Sequence, residues 1–237
     1  MVKTDTIRVL FSIAANEDWP LHQFDVKNAF LHGELKEKVY MEAPPGMTDC
    51  KPVDTPMIPN QKLYMDDETG LADKGQYQRM VGKLIYLVHT RPDIAHAVGV
   101  VSQFMQQPHV HHMEAVIRII RYLKKTADHG VIFKRNEDLR TQIYTDASWA
   151  GEKGDRKSTS EFFTLVGGNL VAWRSKKQKV VSLSSADSEF RGIEKGVVEA
   201  LWIKKLLTKI SFPPNESYSN FLRQRSSLCH IRESCST

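Results

Sequence analysis

The stretch "TQIYTDASWAG", residues 141–151, sets one carboxylate, Asp146, at the end of a short apolar run. Gln142 to Tyr144 reads as the end of a β-strand, and Ala147 to Gly151 as the turn beyond it. An aspartate placed there is either a turn former or half of a metal site. The surrounding chain decides which, and with it the kind of sheet to which the strand belongs.

Working outward, the runs "GVIF" (130–133) and "LRTQIY" (139–144) read as strands, as do "EFFTLVGG" (161–168) and "NLVAWRS" (169–175). Gly167-Gly168-Asn169 makes a tight hairpin turn between the last two. The period then changes. "SSADSEFRGIEKGVVEALWIKKLLTKI" predicts a long helix over about 185–209, capped by Ser184 or Ser185, with Phe190, Ile193, Val197, Leu201 and Trp202 on its buried side. Glu189 lies in the first turns of that helix. If the helix packs across the sheet, Asp146 and Glu189 meet near one end. Two bare carboxylates held close repel one another, and a divalent cation is the usual compensation. The alternative is a turn aspartate plus a helix N-terminal glutamate favoured by the dipole. Asp25, in "LHQFDVKNAF", poses the same question.

Upstream lie three helical stripes. Tyr77, Met80, Val81, Leu84 and Val88 form the first (75–90). Ile94, Val98, Val101 and Met105, behind a first-turn Pro92, form the second (92–106). Met113, Val116, Ile117 and Ile120 form the third (112–125). Near the start, residues 5–16 place Ile7, Leu10, Phe11 and Ala14 on one face of a buried amphipathic helix, and Leu21 to Val26 follow as a strand. Residues 48–74 are polar and broken by Pro52, Pro56, Pro59 and Gly70, which reads as a linker. Forty-six residues cannot enclose a core by themselves, so the first 46 must lean on another part of the chain.

Composition bounds the function. An apolar fraction of 41% and a charged fraction of 26% are those of a soluble globular protein. The net charge of +5 favours acidic partners, nucleic acid first. Its densest expression is "WRSKKQKV", where Arg174, Lys176, Lys177 and Lys179 either hold backbone phosphates or form a solvated connection. Trp149 and Trp173 suit base stacking or ordinary rim packing. The three cysteines, Cys50, Cys229 and Cys235, are too few and too scattered for a disulfide framework or a zinc knuckle, so a reducing, intracellular setting (cytoplasm or nucleus) is expected. None of the nine histidines stands in an i,i+4 pair with a glutamate, and "HVHH" (109–112) reads as a polar helix start. No apolar run reaches membrane-spanning length, so no membrane partner is expected.

These stretches resemble the Pol polyprotein of copia-type LTR retrotransposons, abundant in plant genomes, over nearly residues 1–214. "WPLHQFDVKNAFLHGELKEKVYMEAPPG" (19–46) is similar to that family's first reverse transcriptase motif. The resemblance implies that Asp25 is a magnesium ligand and that Phe30 crowds the sugar 2′ carbon and favours deoxynucleotides. "CKPVDTPM" (50–57), "YQRMVGKLIYLVHTRPDIAHAVGVVSQFM" (77–105) and "AVIRIIRYLKKT" (115–126) resemble the segment between polymerase and nuclease. "YTDASWAGEKGDRKSTSEFFTLVGGNLVAWRSKKQKVVSLSSADSEF" (144–190) resembles the ribonuclease H domain, in which Asp146 and Glu189 fall on the first two metal-binding carboxylates.

Departures from the family pattern weigh on activity. Gly46 is followed by only "MTD" before "CKPVDTP", so most of a palm and its Tyr-x-Asp-Asp hairpin are expected to be missing, and residues 1–46 to pack poorly. "YMDDE" (64–68) imitates that hairpin but sits in the polar linker without apolar flanking strands. After the long helix, the family strand carrying a third carboxylate is replaced by "FLRQRSSLCHIRESCS" (221–236), read as a frameshift near residue 221. The expected architecture is α/β. It comprises a reverse transcriptase palm fragment (1–46), a linker (47–74), a helical connection segment (75–129), an incomplete ribonuclease H-like domain (130–210) and a disordered tail (211–237). The expected function is a Pol remnant without turnover, with weak or absent magnesium binding and weak affinity for RNA–DNA hybrid or other nucleic acid. The alternatives are a magnesium-dependent ribonuclease H and a non-enzymatic nucleic-acid-binding module.

Overall fold

The computed structural model describes residues 3–22, 50–59, 63, 70–136, 140–150 and 156–212. Asp25, Phe30, "YMDDE", most of the expected strand at 21–26 and the tail beyond residue 212 lie outside them.

The middle of the chain is helical. Asp73 caps α2 (Lys74–Leu87) by accepting the Gln76 N–H at 2.9 Å. The expected stripe is buried, with Tyr77, Val81 and Leu84 at its centre, and the Tyr77 hydroxyl donates to the Val101 carbonyl at 2.6 Å. The expected helix over 92–106 is broken into a 3₁₀ turn (Pro92–Ile94), α3 (Ala95–Val101) and a second 3₁₀ turn (Ser102–Phe104). Gly99 and the β-branched Val98, Val100 and Val101 are weak helix formers, and each end tightens into 3₁₀ geometry. α4 (Val110–Lys125) starts at the histidine run, where His109 and His112 form a reciprocal capping box. Tyr77, Val81, Ile94, Val98, Val101, Val116 and Ile119 close a core between these helices. The nominal linker contributes to it. Val53 and Met57 pack on that core, and Arg121 and Arg118 of α4 donate to the Lys51 carbonyl and the Thr55 hydroxyl at 2.6 and 2.9 Å.

The second half holds an antiparallel sheet in the order β1 (Thr141–Ser148), β2 (Thr159–Val166), β3 (Asn169–Lys177). Gly167 and Gly168, at φ 55° and 72°, make the expected tight turn between β2 and β3. Two expectations change. Residues 130–133 form no strand; the backbone just beyond is held by Asn169, whose side chain accepts the Lys134 N–H at 2.8 Å and donates to the Lys134 carbonyl at 2.9 Å. Asp146 does not end its strand, because pairing continues through Ala147↔Ser160 and Ser148↔Thr159.

α5 (Ser185–Lys209) is capped by the Ser184 hydroxyl, which accepts the Asp187 N–H at 3.1 Å. Its buried side differs from the expected one. Ser188, Gly192, Gly196, Ile203 and Leu207 face the protein, whereas Phe190, Val197 and Leu201 are exposed. The cause is close approach. A Cβ built on Gly192 would lie 3.5 Å from the Ala147 Cβ, and one on Gly196 only 2.5 Å from Thr145 Cγ2, so small residues meet β1 and the bulky ones point away.

α1 (Thr4–Asn16) is also rotated from its expected face. Val9 and Ile13 are buried and join Val166, Val171, Ala172, Ile203 and Leu207 in a second core, while Ile7, Leu10 and Phe11 are about two-fifths exposed. Polar bonds fix this orientation. Ser12 Oγ donates to the Val166 carbonyl at 2.5 Å, and the Arg8 guanidinium donates to the carbonyls of Val171 at 3.1 Å and His89 at 2.7 Å. Helix α1 is thus packed on the sheet, while Trp19 and Leu21 beyond it are exposed; the rest of the expected palm fragment lies outside the described residues. The architecture is a mixed α/β fold with a three-stranded antiparallel sheet and several helices. No helix among the described residues is long and apolar enough to cross a membrane.

Candidate nucleic-acid interface

Strand alternation sorts the candidate residues onto the two faces of the sheet. Ile143, Thr145 and Ala147 meet the glycines of α5. Tyr144 and Asp146 therefore belong to the opposite face, where Tyr144 stacks on Phe163 with ring centroids 4.6 Å apart. The residue paired with Asp146 across the ladder is Glu161, and the residue paired with Glu161 is Ser175. Directly opposed residues share a face.

That face carries a carboxylate not singled out by sequence pattern. Glu161 Oε1 accepts the Ser175 hydroxyl at 2.6 Å and lies 2.7 Å from His96 Nδ1 of α3. The hydrogen bond to Glu161 raises the His96 pKa above its ordinary value, against an opposing effect of burial. For Glu161, burial pushes upward, but the bonds and charge supplied by His96 and Ser175 win and hold its pKa below the ordinary range. The signal lay in the β1–β2 register, since a glutamate opening an apolar strand reads by itself as solvent-facing. The pair ties the connection helices to the sheet, with Trp173 Nε1 donating to the Val88 carbonyl at 3.0 Å beside it.

Glu189 stands one turn before Gly192, at the end of the α5–β1 contact that touches Asp146 and Ala147. The helix end that carries Glu189 thus runs beside the part of β1 that holds Asp146, whose side chain is assigned to the face away from α5. Asp146 Oδ1 accepts the Ala147 N–H at 2.9 Å. Among the described residues no group of three or more His, Cys, Asp or Glu side chains is placed to hold a metal ion. Two-metal phosphoryl chemistry needs ligands that bridge and flank both ions. The donor set at this corner does not fit such a centre.

The basic stretch is also divided by alternation. Arg174 and Lys176 lie on the α5 face of β3, whereas Lys177 turns to the other face, where Nζ donates to Gln103 Oε1 at 2.8 Å. Across from Arg174 and Lys176, α5 supplies Arg191 and Lys195, two cations that the linear stretch does not contain. Together with Lys179 they line a groove of about 440 Å³ between β3 and α5, with Phe162 on the sheet side and Glu194 on the helix side. Arg191 is paired with Asp187 at 3.0 Å. Desolvation, then repulsion from Arg174 and Lys176, lowers the Lys195 pKa. Residues two apart on a helix are separated by about 200°, which puts Arg191 and Glu189 on opposite flanks of α5. Arg174 also borders a second cavity, which it shares with Asp146 and Glu161.

Similarity to known proteins fits this arrangement into a lineage. Residues 1–68 match the family model described as reverse transcriptase (RNA-dependent DNA polymerase). The chain is 39% identical over 212 residues to the retrovirus-related Pol polyprotein from transposon RE1 of Arabidopsis thaliana, an alignment covering 87% of this chain and 14% of that protein. It is 37% identical to the corresponding polyprotein from transposon TNT 1-94 of Nicotiana tabacum, over 72% of this chain and 13% of the relative. Part of it recurs in a protein named secreted RxLR effector protein 161 of Plasmopara viticola, 43% identical over 54% of this chain and 90% of that one. No solved structure matches. The matches define a reverse-transcriptase-related protein. The chain is a partial homologue of plant-associated retrotransposon Pol polyproteins, and it spans about one seventh of the length of the curated relatives it matches first.

Proposed function

We propose that this chain is a catalytically silent remnant of a Pol polyprotein, a ribonuclease H-like unit whose retained activity is sequence-independent nucleic-acid binding. Three antiparallel strands followed by a helix whose first turns reach the first strand support the ribonuclease H-like reading. The observation that carries the binding reading is the groove between β3 and α5. Arg174, Lys176, Lys179 and Lys195 line it and form no ion pair among the described residues, with Glu194 the one carboxylate lining it there. Phosphate oxygens are the natural counter-ions for such an array. The absence of turnover is expected from the donor set, since Asp146 and Glu189 are fewer ligands than two bridged metal ions need.

Binding of a labelled mixed-sequence oligonucleotide, titrated at 50 and 300 mM salt, tests this reading. Affinity falls steeply with salt, and K176A/K179A/K195A lowers both the affinity and the salt slope, by roughly one unit of slope for each phosphate no longer neutralised. Equal affinity at both salt concentrations, or a triple variant that binds like the parent, contradicts it.

A further inference from the structure

The groove is specific about the form of nucleic acid it admits. Resting on the binding reading above, we propose that its ligand is a single strand, with one base against Phe162 and successive phosphates on Arg174, Lys176 and Lys195, and that RNA–DNA hybrid is the poorer ligand.

Shape is the first reason. The cations stand on two facing walls, β3 on one side and α5 on the other, around a concavity of about 440 Å³. That volume lies in the range of pockets that hold one small molecule, about 300–1,000 Å³. A duplex, whose major groove alone is about 12 Å wide, is too bulky to enter and touches only the rim. A single backbone enters the trough and meets both walls at once.

The lining chemistry is the second reason. Phe162 is paired with Arg174 across the β2–β3 ladder and so shares its face. The ring is half-buried, packed in part against the second core while also lining the groove. An aromatic platform beside a cationic wall is the arrangement by which single strands are held without sequence preference, because every base has a π-face and each link carries a phosphate. A duplex offers no free base face. Lys195 supplies a third reason. It is held close to Arg174 and Lys176, whose repulsion depresses its pKa together with desolvation, and a phosphate between the walls relieves that repulsion.

Fluorescence anisotropy with a labelled 12-nucleotide single-stranded RNA, the matching single-stranded DNA and the RNA–DNA hybrid of the same sequence, at one fixed salt concentration, tests the assignment on the full chain. Both single strands bind at least 10-fold more tightly than the hybrid. K195E weakens single-strand binding at least 10-fold, and F162L weakens it about 5-fold and narrows the difference between single strand and hybrid. Hybrid binding equal to or tighter than single-strand binding overturns the inference while the binding reading stands. A single-strand preference that survives both K195E and F162L overturns the groove assignment. Failure of all three probes to bind overturns the binding reading itself.

Discussion

At the scale of the residue, Glu161 and His96 form a pH-dependent tie between sheet and helices. The Glu161 pKa is lowered, so its contribution to stability is present above the ordinary value of 4.5 and is lost as pH falls through the lowered value. The His96 pKa is raised, so its contribution is full below 6.5 and is lost as pH rises through the raised value. Their shared window therefore spans about 4.5 to 6.5. The His96 side chain is 48% exposed, and solvent screening limits the pair to about 1 kcal/mol or less, roughly 2–4 °C in melting temperature. Thermal scans between pH 6 and 8.5 show this decline in the parent and a flatter profile in E161Q; identical slopes for the two proteins refute the assignment. The strand bearing Asp146 was legible in sequence as a short apolar run, although its pairing continues to Ser148. Glu161 was not, because its partner lies 65 residues away and only the ladder register sets it opposite Asp146.

At the scale of the element, α5 shows why helix limits were readable and helix faces were not. Its start was marked by a serine cap and its length by an unbroken stretch without proline. Its orientation depended on Gly192 and Gly196, which let the backbone approach β1 and leave the larger apolar side chains outside. The same reversal occurred in α1, where Ser12 and Arg8 hydrogen bonds outrank the more hydrophobic stripe of Ile7, Leu10 and Phe11. A periodicity reading weighs hydrophobicity and is blind to both effects. The two glycines are predicted to differ when replaced. An alanine at 192 meets Ala147 at an ordinary 3.5 Å and gains about 1 kcal/mol of helix propensity, so G192A is neutral or stabilising. An alanine at 196 sits 2.5 Å from the methyl of a stiff β-branched Thr145, and G196A costs about 1–3 kcal/mol. Urea denaturation of both variants decides; equal stabilities speak against the close approach of α5 to β1.

At the scale of the molecule, segments that resemble different parts of a polyprotein form a continuous structure. Arg8 is the point where they meet. The residue is 7% exposed, and its guanidinium lies 3.8 Å over the Trp173 ring and bonds carbonyls from β3 and from the turn after α2. This union explains why the helix–strand–helix order was legible while the seat of α1 was not: hydrogen-bond partners of α1 come from residues more than 150 positions away. It also gives the functional claim its form, a fold that gathers Arg174, Lys176, Lys179 and Lys195 along one groove. The most direct test incubates the full chain with a labelled RNA–DNA hybrid and with a labelled single strand in magnesium, reading complex formation and strand integrity from the same sample. The account predicts a salt-sensitive complex, stronger with the single strand, and intact strands throughout. Cleavage that requires magnesium and disappears in both D146N and E189Q contradicts it.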